Sequence, residues 1–289
     1  MKLKILIPIY NDWKSLTKLL EKINFQLKNL NHDVSIIIVN DFSTEIVPKI
    51  LGNYENFHSI KILNMKSNMG HARCIATGLK YISENCEFDY VIPMDGDGED
   101  RPEEIKNFIE KINQNFNEPI VGERVKRSEG LIFKIGYIVH KLFTFIFTGR
   151  SVKFGNFTCL PKKTVIKLVN DKSTWSSFSG SLSKLESKLI STPSERGVRF
   201  FGPSKMNYLS LFVHSFAIMA VFKTTVILRS ILFYAVYLML ISKNLSFVTV
   251  IPLVLIFIFG ILIFKVSRRE SIDSLKKYNS FIDSVVKFK

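Results

Sequence analysis

The order of apolar and polar runs predicts an α/β protein: a mostly parallel, doubly wound sheet in the N-terminal two thirds, then a C-terminal two-helix membrane hairpin. Three observations carry this. Over the first 125 residues, short β-rich runs alternate with segments whose apolar residues recur at helical spacing, the pattern of βα units. Asn11-Asp12, Asn40-Asp41 and the acidic cluster 95–100 each follow such a run, and ligands in these sheets bind at the carboxyl ends of strands. Two runs beyond residue 209 are long and almost uncharged, as a bilayer crossing of about 20 residues requires.

The first strand is the apolar run 2–10. Asn11-Asp12 offers a cap for a helix through residue 30, with Leu16, Leu19, Leu20, Ile23 and Leu27 on one face. Strands are expected at 34–39, 60–63 and 90–94, and helices at 70–85 and 103–113, the last started by Pro102. The run 131–147 is apolar but carries Lys134, His140 and Lys141, so it reads equally as an interfacial helix or a core helix. The serine-rich stretch 171–195 has little periodicity and is expected to be irregular. Spans are placed at 224–242, with one charge (Arg229), and at 244–264, with none. The resulting division is a catalytic domain 1–208, an amphipathic segment 209–222, a hairpin 223–265 and a basic tail 266–289.

The chain has a formal net charge of +15 and a mean hydropathy of +0.17. Its basic excess suits an anionic membrane surface, and no recognisable nucleic-acid module is present. Lys223 and Arg229 flank the first span, and Lys265, Arg268 and Arg269 follow the second. The positive-inside rule therefore predicts a multi-pass protein of the cytoplasmic membrane with catalytic domain and both termini in the cytoplasm. Cys74, Cys86 and Cys159 are scattered, without metal or redox spacing. A GxGxxG after the first strand and a GxxxxGK[ST] are both missing, which disfavours a dinucleotide oxidoreductase and a P-loop enzyme.

Six of the ten residues from Asp95 to Glu104 are acidic. Such crowding at a strand end calls for a cation, and carboxylate oxygens suit Mg²⁺ or Mn²⁺. A calcium hand does not fit, because its sixth position is Asp100 rather than Gly and its twelfth is Lys106 rather than Glu.

At these residues the chain resembles the inverting glycosyltransferases of the GT-A fold (family-2 type), and among them the polyprenyl-phosphate, dolichol-phosphate mannose synthase-like subgroup. The resemblance runs over residues 3–210. Ile7-Pro8-Ile9-Tyr10-Asn11-Asp12 is similar to the opening strand, which implies nucleotide contacts for Pro8, Tyr10 and Asp12. Val39-Asn40-Asp41-Phe42 is similar to the base-binding motif and implies the same for Asp41, although Asn40 stands for an acid and Phe42 for a glycine. Asn68-Met69-Gly70-His71 adds Asn68 and Gly70 to the nucleotide set, with His71 read as a helix-start residue. Asp95-Gly96-Asp97-Gly98-Glu99 matches the metal loop, which implies Asp95, Asp97 and Glu99 as ligands, Asp95 also meeting the nucleotide. In 122–127, Arg124 and Arg127 would meet phosphate and act in catalysis with Asp97. In 196–205, Arg196, Arg199, Ser204 and Lys205 would hold the phosphate of the acceptor.

The resemblance thus implies transfer from a UDP- or GDP-sugar to a polyprenyl phosphate or other lipid-linked acceptor at the cytoplasmic leaflet, with a homo-oligomer allowed. The rivals are an enzyme that extends a lipid-linked or cell-surface saccharide and a non-catalytic, membrane-tethered sugar-nucleotide binder. The saccharide-extending enzyme needs a base, for which 171–195 offers Asp171, Glu186 and Glu195.

Overall fold

The structure is a computed structural model and describes all residues except 29, 31, 48–51, 53, 127–140 and 204–207. The chain divides into two compact units: Met1–Ser128, Lys153–Lys205 and Ser271–Lys289 in one, and Glu129–Val152 with Met206–Glu270 in the other.

The first unit is built on an eight-stranded sheet. Its parallel centre holds β1 (Lys2–Ile9), β2 (Asp33–Asn40), β3 (Ser59–Met65) and β4 (Tyr90–Pro93). These are the four apolar runs of the sequence, and each is buried on both faces, as a sheet covered by helices on both sides requires. Helices α1 (Trp13–Leu27), α2 (His71–Asn85) and α3 (Ile105–Gln114) follow β1, β3 and β4. Helix α1 turns Leu16, Leu19, Leu20, Ile23 and Leu27 inward as expected. Those side chains join Leu3, Ile5, Ile7, Ile36 and Phe108 in one core cluster, while α2 covers the other face through Ile75, Leu79 and Ile82.

Outside this centre lie β5 (Ile120–Lys126), β6 (Phe154–Pro161), β7 (Ile190–Glu195) and β8 (Ile282–Lys287), and the strand order is β7-β5-β6-β4-β1-β2-β3-β8. β6 runs antiparallel to β4 and β5, and β8 antiparallel to β3. The stretch 171–195 is not irregular. It holds a 3-10 turn (Lys172–Trp175), helix α6 (Phe178–Leu185) and β7, after α5 (Lys162–Leu168). Its serines cap and fill space. Ser177 accepts from the Gly180 N–H to start α6, and Ser173 meets the Ser181 hydroxyl at 2.5 Å, below Trp175, Phe178 and Leu182 in the core. Residues 266–289 likewise end in structure. After the short helix α10 (Ile272–Lys276), β8 pairs Lys61 with Lys287 and Met65 with Ile282.

The second unit comprises α4 (residues 141–148), α7 (Tyr208–Val221), α8 (Lys223–Ile241) and α9 (Phe247–Ser267). Phe147, Met219, Ala220, Val226 and Ile263 form its core, with Phe147 and Phe259 rings 4.8 Å apart. Helix α8 begins one residue before the predicted span. Helix α9 begins three residues after it, because Ser246 and Thr249 form a reciprocal cap that fixes the start. Both helices are long and apolar enough to cross a membrane, and only 17% and 11% of their most apolar windows are buried. A core helix of a water-soluble protein would be mostly covered, so these surfaces mark a membrane protein. Residues 131–140 of the expected interfacial run lie outside the described residues. Its described end, in α4, leaves Leu142, Phe143, Phe145 and Ile146 exposed. Arg229 of α8 donates from Nη1 to the carbonyls of Phe145 and Ile146 at 3.2 and 2.7 Å, placing its charge on the C-terminus of α4.

Candidate active site

The loops after β1, β2 and β4 meet at one end of the sheet, because all three strands run parallel. After β1, Asn11 (φ 48°) accepts from the Thr44 and Glu45 N–H groups at 2.8 and 3.2 Å, tying the first loop to the second. After β2, Asp41 is buried and accepts from the backbone N–H groups of Met69 (2.6 Å) and Gly70 (2.9 Å) at the start of α2. Gly70 (φ 88°) makes the turn, and Asn68 Nδ2 donates to the Asp41 carbonyl at 3.3 Å. Asn40 donates to Asn64 Oδ1 (2.9 Å) and accepts from Ser43 N–H (3.1 Å). A carboxylate there could not make the first of these bonds. Phe42 adopts φ 60° with an exposed ring.

The loop after β4 gathers the acids. Asp100 is buried and accepts from the Asp95 N–H at 2.8 Å, and Asp97 accepts from the Glu99 N–H at 3.0 Å. Gly98 has φ 89°, and the Phe200 ring stands 2.4 Å from where a Cβ would be, so only glycine fits. Residues 196–200 lie along this loop, with Gly197 N–H donating to the Glu99 carbonyl (2.8 Å) and Phe200 N–H to the Asp97 carbonyl (2.9 Å). A Cβ at Gly197 would come within 2.9 Å of the Gly98 carbonyl oxygen. Arg199 bridges Asp97 (2.8 Å) and Asp12, and Arg196 pairs with Glu99. Both arginines expected at an acceptor phosphate therefore lie on the acidic loop. Asp12 stands at the N-terminus of α1 but makes no side-chain cap, its carboxylate being turned to Arg199.

The charges strain against one another. Burial and the neighbouring Asp95 push Asp97 up to about 6, against the pull of the Glu99 N–H and Arg199. Burial and Asp95 also raise Asp100. Asp95 is half-buried, and although desolvation works to raise it, His71, the Asn156 amide and Arg124 hold it below the usual carboxylate range. His71 Nε2 lies 3.3 Å from Asp95 Oδ1 and 2.7 Å from Asn156 Nδ2. Among the described residues no three His, Cys, Asp or Glu side chains are arranged to hold an ion by themselves.

Of the predicted residues, Asp12, Asp97, Glu99, Arg196 and Arg199 are joined by direct contacts, Asp41, Gly70 and Asn68 form a second group, and Asp95 meets Asp100, Asn156 and His71, the residue after Gly70. Arg124 reaches Asp95 and Asp100 by its charge. Pro8 is buried in β1, and Tyr10 is exposed just beyond it. Arg127, Ser204 and Lys205 lie outside the described residues. The sequence reading did not place Asn11, Asp100 or Asn156 in the site. Asn11 and Asp100 sit inside the quoted motifs, whereas Asn156 is a lone amide on β6 with no spacing signal. The three candidate bases are all engaged. Asp171 holds Lys184 at 2.8 Å, Glu186 takes Thr164 and Lys167 at 2.7 and 2.8 Å, and Glu195 meets Arg101 at 3.3 Å.

The mixed, mostly parallel α/β sheet with an acid-rich loop at one strand end is the architecture of a glycosyltransferase of the GT-A fold. The chain belongs to glycosyl transferase family 2, whose model matches residues 4–166, more than half its length. It is similar to an uncharacterized glycosyltransferase of Synechocystis sp., with 25% identity over 77% of this chain and 69% of that protein. It is also similar to the undecaprenyl-phosphate 4-deoxy-4-formamido-L-arabinose transferase of Proteus mirabilis, at 29% over 55% of this chain and 47% of that protein. The chain therefore matches about half the length of that transferase. The Mycobacterium tuberculosis glucosyl-3-phosphoglycerate synthase, solved with Mn²⁺, UDP and glucosyl-3-phosphoglycerate, shares the fold, with a TM-score of 0.54, 10% identity, and coverage of 78% of this chain and 79% of that one.

Proposed function

We propose that this chain is a membrane-bound inverting glycosyltransferase that moves a sugar from a UDP- or GDP-sugar to a polyprenyl phosphate at the cytoplasmic leaflet. The observation that carries the reading is the crowding of Asp95, Asp97 and Asp100 at the β4 end, beside the Asp41 strand end. Carboxylates that burial and then mutual repulsion lift above their ordinary range are suited to a cation. Hard oxygen donors select Mg²⁺ or Mn²⁺, which take one or two carboxylates and complete their shell with phosphate oxygens. Asp95 and Asp97 would hold the ion, with Glu99 adjacent, and the bound ion would neutralise charge on the departing nucleoside diphosphate. The Mn²⁺ and UDP of the mycobacterial synthase are in line with this.

Pro8, Tyr10, Asp12, Asp41, Asn68 and Gly70 lie at or beside the strand ends where the nucleoside would sit. Arg124 supplies positive charge on the far side of the acids, and the role reads on to Arg127. An ion held by Asp97 and Glu99 would weaken the pairing of Arg199 with Asp97 and of Arg196 with Glu99, while Asp12 would still hold Arg199. The guanidinium groups would then have donors to spare for phosphate, which their planar fork binds in bidentate fashion. Ser204 and Lys205 extend that stretch toward the acceptor.

The acceptor follows from the chemistry of the base. A sugar hydroxyl needs a general base, and Asp171, Glu186 and Glu195 are each held by a cation or hydroxyl elsewhere. A phosphate monoester, with a second pKa of about 6, is largely dianionic at neutral pH and can attack unaided. The exposed apolar surfaces of α8 and α9 and the basic flanks favour a lipid-linked acceptor, both termini cytoplasmic, as do relatives whose acceptor is undecaprenyl phosphate. Membranes containing the protein, given radiolabelled nucleotide sugars and a polyprenyl phosphate, should yield label in an organic-extractable, mild-acid-labile lipid. Label entering only pre-existing glycan would refute the proposal.

A further inference from the structure

Asp95 leaves β4 with one carboxylate oxygen already committed. Asn156 Nδ2 donates to Oδ1 at 3.1 Å, and His71 Nε2 approaches the same oxygen at 3.3 Å. The histidine and the amide are themselves 2.7 Å apart. The three side chains come from three separate elements: His71 from the first turn of α2, Asp95 from the loop after β4, Asn156 from β6. Two of the three are set by regular structure, since β6 pairs directly with β4 and α2 packs on the sheet through Cys74, Ile75 and Leu79, and Asp95 follows the end of β4 by two residues. Of the two oxygens, Oδ1 is the gripped one.

We propose that Asn156 and His71 are positioning residues of the metal centre: Asn156 holds Asp95 by Oδ1 and His71 fixes the Asn156 amide, so that Oδ2 would be presented to the divalent ion and donor diphosphate. This deepens the reading above and rests on it. The physical reason is that a carboxylate ligand rotates about its Cβ–Cγ bond, and a metal that keeps near-ideal octahedral geometry tolerates little of that freedom. Hydrogen bonds to the oxygen that does not ligate remove the rotation in advance, and ligating carboxylates are regularly held so. In its neutral, Nδ1-protonated form, His71 accepts the second N–H of Asn156 and thereby fixes the amide. Neither residue needs to touch substrate to act.

The test is Mn²⁺ titration, followed by electron paramagnetic resonance, of the full-length protein in detergent with saturating UDP or GDP. Asn156→Ala and His71→Ala are each expected to weaken Mn²⁺ about 10- to 100-fold, the usual cost of losing a group that orients a ligand. Glycosyl transfer should then recover to near the unsubstituted rate at high Mn²⁺, with the defect in apparent metal affinity and not in kcat. His71→Gln keeps an acceptor, its amide oxygen, at comparable reach and should recover most of the affinity. It also guards against an alanine variant that fails to fold, which melting curves would reveal. Unchanged Mn²⁺ affinity in folded variants overturns the proposal, as does a large loss of kcat at saturating metal, which would put His71 on the substrate itself. Absence of Mn²⁺ binding by the unsubstituted protein fails differently: it sinks the metal reading from which this one follows.

Discussion

Asp41 and Asp97 leave the same sheet on either side of β1, and both are largely shut off from water, but their carboxylates are treated differently. Asp41 faces two backbone N–H groups of the turn into α2, at 2.6 and 2.9 Å, and no acidic neighbour is among the groups that shift it. Burial still raises it, although the Met69 and Gly70 N–H groups work in the other direction. Asp97 stands among Asp95, Asp100 and Glu99, and its compensation is a guanidinium from a distant segment, Arg199. One carboxylate is met by the backbone of the turn beside it, and the other by a side chain from a segment 102 residues away. On the proposed function, the first would serve as a fixed recognition point and the second as a place where an ion replaces a guanidinium.

That contrast can be broken by substitution. Asp97→Ala has the largest expected effect: transfer should fall by roughly 10²–10³-fold, the scale of losing one preorganised electrostatic group. Metal-dependent nucleotide binding should go with it, while the melting temperature stays level or rises. A non-catalytic binder would keep its biological effect in the same variant, so activity and complementation must be read together. Asp41→Ala should invert the pattern by orphaning two buried N–H groups, at about 1–3 kcal/mol of stability, seen as a lower denaturant midpoint even without ligand. Asp41→Asn, which keeps one acceptor oxygen, should lose less.

Acidity sharpens the comparison further. Asp97 titrates at about 6 in the fold against an ordinary 3.8, so its protonated form favours the native state. The stability it contributes is full below the ordinary carboxylate range and is lost as pH rises through about 6. Metal-free protein should therefore melt lower at pH 7 than at pH 5 by an amount that Asp97→Asn reduces, the remainder coming from the raised Asp100 and Asp41, and Mn²⁺ should oppose the trend by favouring the carboxylate. The smallest effect is expected at Phe42, whose φ of 60° is costly for a residue with a Cβ. Phe42→Gly should change stability by less than about 1 kcal/mol, because relief of strain is offset by the wider freedom of glycine in the unfolded chain.

The parallel centre was readable because β1, β2, β3 and β4 are continuous apolar runs followed by polar strand ends, and because α1 repeats leucine at helical spacing. The acidic loop was readable because like charges are seldom crowded without a counter-ion. The antiparallel margin was not. In β6, Gly155 and Asn156 interrupt the apolar pattern, and β7 contains Pro193 and exposed positions. The serines of 171–185 disguise a helix whose caps and small packed contacts they provide. β8 was hidden for another reason: IDSVVK is short, polar and mostly exposed, and its partner lies more than 200 residues away in the chain. Likewise Arg199 looked like a phosphate ligand from its charge alone, since no spacing announces that Asp12 and Asp97 face it.

The late arrival of β8 has a topological consequence. The polypeptide leaves the sheet-bearing unit at residue 205 and re-enters it at 271 to lay down the outermost strand beside β3. A strand bonded into that sheet cannot lie across a bilayer from it, so both ends of the intervening stretch belong on one side of any membrane it enters. Cutting the gene ahead of α7 to obtain a water-soluble fragment would therefore strip β3 bare and leave its edge open to aggregation. A soluble version must retain 271–289 together with the rest of the sheet-bearing unit.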